Sequence, residues 1–334
     1  MTDTTTTIAG LDIAVGSRER RRDEIVRIAR AADEAGAGAI WVTESMGRDA
    51  FSILTELALT TSRIALGTGI VNVYSRTPTA LAQAAASLLE LMGTRTLNLG
   101  LGTSGRALVE GYHGVPYQRP VARLAETVRV LDTAFSTGKL PPDGTVFPLG
   151  GLPLGIDADR DRLRLYVAGL TPRTLEVTGA YADGWLPIWP SRSGRGGALR
   201  AVETAAEAAG RPRPAVAGYL YTVVGAEPGP LRATLAWYIA ANGTAYRRLF
   251  ESYGFGEQVE RICGLWAAGD RDLARRAVTD EMLDDSTLRG APTEVLRQAA
   301  AFRRAGVDRP VLRLPGQVST GDCLRMITAL AGTT

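Results

Sequence analysis

The sequence predicts an α/β protein of the (β/α)8, or TIM, barrel class. Three observations carry this. Eight short apolar runs alternate with segments of helical period. None of the eight is polar and edge-like, so a closed parallel ring fits the count better than an open sheet. The 334 residues suit one barrel, which typically takes about 250 residues plus insertions. With no internal repeat or interdomain linker, residues 1–334 read as a single barrel domain.

In chain order, Ile8 to Val15 is the first strand. Glu19 to Ala35 follows as a helix, with Ile25, Ile28, Ala29, Ala32 and Ala35 at helical spacing and Gly36 to stop it. Ala39 to Thr43 and Ile64 to Val71 are the second and third strands, separated by a helix over Ala50 to Leu59. Pro78, whose fixed φ suits a first turn, opens a helix to Leu91. Thr96 to Leu101 is the fourth strand and Ala122 to Phe135 the fourth helix. Lys139 to Arg162 breaks the rhythm. Its Pro, Gly and Asp content marks a surface excursion, the first insertion. The rhythm resumes with strand Arg164 to Ala168, helix Pro172 to Ala182, short strand Gly184 to Ile188, helix Gly197 to Ala209 and seventh strand Ala215 to Val224. The helical stretch Leu231 to Met282, interrupted at Gly243, Gly254 and Gly269, is too long for one barrel helix and forms the second insertion. Helix Thr293 to Ala305, eighth strand Pro310 to Leu314 and helix Thr320 to Leu330 complete the barrel.

Composition excludes several functions. The net charge is +3, and the basic residues, almost all Arg, are interleaved with Asp and Glu. The one basic cluster, Arg18 with Arg20 to Arg22, reads as a solvated helix start, so neither nucleic acid nor a membrane surface is an expected partner. Cys263 and Cys323 are the only cysteines and make no disulfide framework, which fits a reducing compartment. Met1 to Thr7 lacks the basic and apolar regions of a signal peptide, and no apolar run approaches the roughly 18 residues of a membrane span. A cytoplasmic protein is expected. His113 is the only histidine, which removes multi-histidine metal sites and leaves no metal expected.

In a barrel, functional groups stand at the C-terminal strand ends. After the second strand, Glu44 can point a carboxylate into the mouth or pair with Arg48 or another mouth arginine. In the third, Gly67 and Gly69 precede Ile70, Val71 and Asn72; glycines inside an apolar strand mark a bulge or a close backbone approach, for a planar ring or for barrel packing. After the fourth comes Gly100-Leu101-Gly102-Thr103-Ser104-Gly105. It matches the dinucleotide fingerprint in the wrong context, since no helix is expected directly behind it, but lets backbone N–H groups approach a cofactor's polar tail. After the fifth, Gly169, Leu170 and Thr171 lead into Pro172 and Arg173. Thr171 can cap the helix, and its N-terminus beside Arg173 is a ready anion site or an ordinary helix start. His113 lies in the loop Glu110 to Tyr117 over the mouth, as a surface histidine or a site residue.

Taken together, five colinear segments resemble the luciferase-like flavin/deazaflavin superfamily, and within it the coenzyme F420-dependent branch typified by the methylene-tetrahydromethanopterin reductases. They are Ala39 to Asp49, Ile64 to Pro78, Leu99 to Pro120, Leu165 to Leu186 and Gly290 to Pro315. The resemblance implies a non-prolyl cis peptide at Gly69–Ile70 backing the deazaflavin ring, and a cofactor cradle over Gly69 to Asn72, Gly102 to Ser104, and Gly169 to Thr171 with Arg173. It also implies a homodimer, with which the Ala-rich stretch Ala80 to Ser87 is compatible. Four positions depart from the family. Glu44 and Ser45 stand where the reductases have Asp then His, Arg106 stands near the place of a Glu in the sugar-phosphate dehydrogenases, and Thr77 replaces a His before Pro78.

The expectation is therefore an F420-dependent oxidoreductase that moves a hydride between the deazaflavin C5 and a small organic or peptide substrate, reducing a C=C or C=N bond. Glu44 and His113 are the candidates for proton delivery. Two alternatives stand beside it. One is an FMN-dependent monooxygenase on the same barrel. The other is a non-catalytic flavin-binding protein, given Ser45 and Thr77 in place of histidines.

Overall fold

The computed structural model describes residues 7–333. The N-terminal segment read for a signal peptide lies, but for Thr7, outside the described residues. Among the described residues nine strands are present: β1 (Asp12–Gly16), β2 (Ala39–Thr43), β3 (Ala65–Asn72), β4 (Leu97–Gly102), β5 (Leu163–Val167), β6 (Gly184–Trp185), β7 (Ala215–Val224), β8 (Thr287–Gly290) and β9 (Arg309–Arg313). Each of β1 to β6 pairs in parallel with the next, β6 pairs with β7, β7 with β9 and β9 with β1. Eight strands thus close the expected ring. The ninth, β8, pairs only with Tyr221 to Val224 at the top of β7, outside that ring.

The barrel helices are α1 (Arg22–Glu34), α2 (Ala50–Thr60), α3 (Pro78–Leu91), α4 (Arg106–Gly111), α5 (Pro120–Thr137), α6 (Pro172–Tyr181) and α7 (Ala198–Ala208). The second insertion is α8 (Gly229–Ala241), α9 (Thr244–Ser252), α10 (Gly256–Ala267), α11 (Arg271–Arg276) and α12 (Asp280–Ser286), followed by α13 (Pro292–Arg304) and α14 (Thr320–Ala331). Its breaks fall at Gly243, Gly254 and Gly269, all left-handed.

Four expectations need correction. Ile8 does not open a strand: Ile8–Gly10 is a turn of 3-10 helix and β1 begins at Asp12. Strand six is two residues long. Beyond Pro187 the chain follows β7 by only a few bonds, among them Tyr219 N–H to Pro187 O at 2.8 Å, because proline has no N–H for the ladder. The loop after β4 contains the six-residue helix α4. β8 was not expected at all.

The barrel interior is filled by Ala14, Trp41, Tyr166, Leu186, Ala217, Tyr219 and Val311. Trp41 meets Tyr166 edge to face at 5.1 Å and donates its indole N–H to Asp12 at 2.9 Å. Between ring and helices lies the main core, which takes in Ala82, Ala85 and Ala86 of the Ala-rich α3. A second apolar cluster joins α8 to α12 with Trp189, Tyr221 and Val223 above β7. The C-terminal ends of the ring strands and this helical insertion together frame the mouth.

Candidate functional site at the barrel mouth

The β3–β4 ladder shifts register between Thr68 and Val71, and Gly69–Ile70 is a cis peptide. Close approach explains the glycines there. A Cβ on Gly69 would overlap the Tyr219 hydroxyl, and one on Gly100 the Thr68 carbonyl oxygen. The bulge leaves Gly69 and Ile70 partly open, while Val71 and Asn72 are buried. Val71 turns its side chain into the main core, so only its backbone is available to a ligand.

Asn72 joins two of the predicted site residues. Its Oδ1 accepts from the Tyr74 N–H at 2.9 Å and the Ser75 N–H at 2.8 Å. That assigns Nδ2 as the donor toward His113 Nε2, 3.2 Å away. His113 Nε2 is then an acceptor, which puts the ring N–H on Nδ1. The loop carrying His113 is pinned by aromatic contacts. Tyr74 stacks on Tyr117 at 5.2 Å and donates to Gln118 O at 2.9 Å, and the Tyr117 hydroxyl donates to Ser104 O at 3.2 Å. Ser104 has a left-handed backbone, φ 54°, uncommon for a non-glycine residue and a mark of an over-determined turn. Gly102 is buried, and Thr103 and Ser104 are half-buried at the end of β4.

Glu44 lies on a separate network. Arg76 Nη1 donates to Glu44 Oε1 at 2.8 Å and Nη2 to Oε2 at 2.9 Å, while the Ala50 N–H at the start of α2 donates to Oε2 at 2.8 Å. Its side chain is 8% exposed. Arg76 also reaches Asp49, which caps α2 by accepting from the Ser52 N–H at 2.6 Å. Burial pushes the Asp49 carboxyl up, but the Ser52 donors and Arg76 outweigh it and hold it below the usual carboxylate range. The hydrogen bonds to Glu44 hold the Arg76 guanidinium above its ordinary value. Of the two readings of Glu44, the arginine partnership is present, with Arg76 as the arginine. Arg48 instead donates to the Ser17 and Arg20 carbonyls. Ser45 and Thr77, at the family's histidine positions, are exposed, and Thr77 caps α3.

Across the mouth, the Thr171 N–H donates to Thr174 Oγ1 at 3.0 Å at the start of α6. Thr171, Pro172 and Arg173 are exposed, Leu170 is half-buried, and Gly169 is buried with its carbonyl accepting from the Trp185 indole at 2.9 Å.

Three further mouth groups escaped the sequence reading. Arg313 ends β9 at 4% exposure, paired with Glu19 at 2.8 Å and lying over the Tyr221 ring at 5.7 Å. Burial opposes its charge, and Tyr221 and Glu19 overcome that and raise its pKa. An arginine closing the apolar run Pro310 to Leu314 was the readable signal. Trp189 is left-handed at φ 58° and stacks on Tyr221 at 4.6 Å. Tyr219 places a buried hydroxyl under Gly69 with no partner among the described residues. Nothing local in the sequence marks either aromatic residue. Among the described residues no group of His, Cys, Asp or Glu could hold a metal ion, and no helix is long and apolar enough to cross a membrane.

A family model of luciferase-like monooxygenases matches residues 5–309. The chain is 28% identical over 317 residues, 84% of its length and 88% of the relative's, to a Mycobacterium tuberculosis protein provisionally named a coenzyme F420-dependent oxidoreductase. It is 25% identical, over 87% of its length and 90% of the relative's, to the 5,10-methylenetetrahydromethanopterin reductase of Archaeoglobus fulgidus. The solved structure of the coenzyme F420-dependent tetrahydromethanopterin reductase of Methanopyrus kandleri shares the fold, with TM-score 0.82, 20% identity and 98% of each chain covered.

Proposed function

We propose, from the premise that this chain belongs to the luciferase-like monooxygenase family, that it is an oxidoreductase working with the deazaflavin coenzyme F420. Membership rests on the match over most of the chain, in line with the resemblance read from its five segments. The names of the M. tuberculosis and A. fulgidus relatives support redox chemistry, and the former also the coenzyme.

The mouth fits such a group. Between buried Thr68 and Val71, the partly open Gly69–Ile70 bulge offers a planar ring main chain and one aliphatic side chain. The turn over Gly102 to Ser104, and the α6 start with Gly169 to Thr171 and Arg173, would hold the acidic tail through N–H groups, helix dipole and guanidinium. Bound there, the coenzyme supplies a two-electron hydride carrier.

The chain's own residues supply the rest. An electron-poor C=C or C=N bond takes a hydride at one atom and needs a proton at the other. His113, held by Asn72 with its N–H on Nδ1, hydrogen-bonds at that atom while the proton itself comes from water, so that no imidazolate is formed. Glu44 accepts two bonds from Arg76 and one from the Ala50 N–H, and in this reading it braces the β2 and β3 loops rather than delivering the proton. The observation that carries this reading is the oriented Asn72–His113 pair beside the open bulge.

The test offers reduced F420 to the purified protein without oxygen, together with a panel of activated alkenes and imines. At least one should oxidise the coenzyme in proportion to product. Oxygen-dependent hydroxylation of a substrate with reduced FMN, and no oxidation of reduced F420, would install the FMN monooxygenase reading instead.

A further inference from the structure

The opposite end of a (β/α)8 barrel, where the strands begin, normally serves stability rather than chemistry. In this chain it is hollow. Small residues, Gly38, Ala65 and Ala215, stand at its rim and leave a cavity of about 470 Å³. That lies within the roughly 300–1,000 Å³ usual for small-molecule sites.

Four arginines and Asp183 line the cavity, and the carboxylates around it are shared unevenly among the arginines. Two of its arginines are matched: Arg309 binds Asp12 through two bonds of 2.9 Å, and Arg213 binds Asp308 at 2.7 Å and Glu203 at 3.0 Å. Two are not. Arg164 donates to the Leu163 carbonyl at 3.2 Å and meets no carboxylate among the described residues. Arg211 reaches Asp183 only at 3.6 Å, and that carboxylate already takes two bonds of 2.9 Å from Arg160 and one of 2.8 Å from the Leu165 N–H. The Arg211 Nε is buried without an acceptor.

Asn98 is the independent sign of a ligand. It sits on β4 in register with Arg164 on β5, lines the same cavity and is 2% exposed. Its Nδ2 has no acceptor among the described residues. A buried amide left without a partner is costly, and folded proteins seldom leave one so. A water molecule could accept from Asn98, but an oxygen anion would accept from Asn98 and from the uncommitted N–H groups of Arg164 and Arg211 together.

We propose that this cavity is a second binding site, remote from the mouth, for a small metabolite bearing a phosphate or carboxylate group held by Arg164, Arg211 and the Asn98 amide. Guanidinium groups recognise both kinds of oxygen anion through paired N–H donors. The Tyr166 hydroxyl, whose pKa burial raises to about 12, remains a neutral donor beside them.

The experiment uses the full chain and its Arg164→Gln and Asn98→Ala variants. Thermal unfolding is followed in sodium phosphate and in sodium succinate, each against sodium chloride at matched ionic strength. At about 10 mM, at least one oxygen anion should raise the wild-type midpoint by about 2 °C or more above chloride. Both variants should lose at least half of that rise while keeping wild-type affinity for F420 at the mouth. A response to phosphate alone assigns a phosphate-bearing ligand, and to succinate alone a carboxylate. If neither anion exceeds chloride, or if the variants keep the full rise, the site is refuted. Should Asn98→Ala fail to fold, the exposed Arg164 carries the test by itself.

Discussion

At the residue scale, the role proposed for His113 turns on which ring nitrogen carries the proton. Asn72 decides this through geometry, because its carbonyl oxygen is already committed to the Tyr74 and Ser75 N–H groups. Asn72→Asp keeps that acceptor but turns the group facing His113 from donor to acceptor, which moves the ring proton to Nε2. We expect the variant to stay folded and to lose about 10²-fold or more in turnover, the scale of a positioned acid, with KM little changed. Because the chain has one histidine, imidazole ¹⁵N NMR reads the tautomer directly. Wild-type turnover in a variant shown to carry the Nε2 proton would remove His113 from that role. The sequence placed Asn72 and His113 in separate segments, and only the fold of the loop after β4 shows that they touch. The Glu44–Arg76 pair was equally out of reach, because a carboxylate at a strand end has several possible partners until the neighbouring loops are packed.

At the element scale, one buried carboxylate gathers the backbone at residues 145–147 of the surface excursion. Glu126 on α5, 7% exposed, accepts from the Thr145, Val146 and Phe147 N–H groups at 2.7 to 3.0 Å. Burial pushes its carboxyl up, and those backbone donors more than offset it and hold it below its ordinary 4.5. A depressed carboxyl gives its full stabilisation above the ordinary carboxylate range and loses it as pH falls through the lower, folded-state value. Glu126→Gln should therefore cost about 1–2 kcal/mol at pH 7, in keeping with hydrogen bonds to a charged group. That deficit should shrink toward pH 3. Urea unfolding at both pH values measures it, and a deficit that is constant with pH would mean that the charge is not what anchors the loop. Elements with strong local signals were legible to the residue: β2, α3 behind Pro78, and β7. β8 was not, because Thr287 to Gly290 is only four residues long with Leu288 as its one large apolar side chain, and its pairing depends on how far β7 extends above the ring. α4 escaped because the Gly and Pro residues around it read as loop.

At the scale of the whole molecule, the closed ring was legible because apolar strands without polar edges have few other ways to bury both faces. Closure then brings segments far apart in sequence, the β3 bulge, the β4 turn and the α6 start, to one mouth. The proposal that this mouth is a deazaflavin site can be checked by titrating the purified protein with F420 and FMN side by side. F420 should bind saturably with a dissociation constant of about 1–10 µM or tighter, roughly −7 to −8 kcal/mol, and FMN more weakly. FMN binding tighter than F420, or no saturable binding of F420, would contradict the proposal.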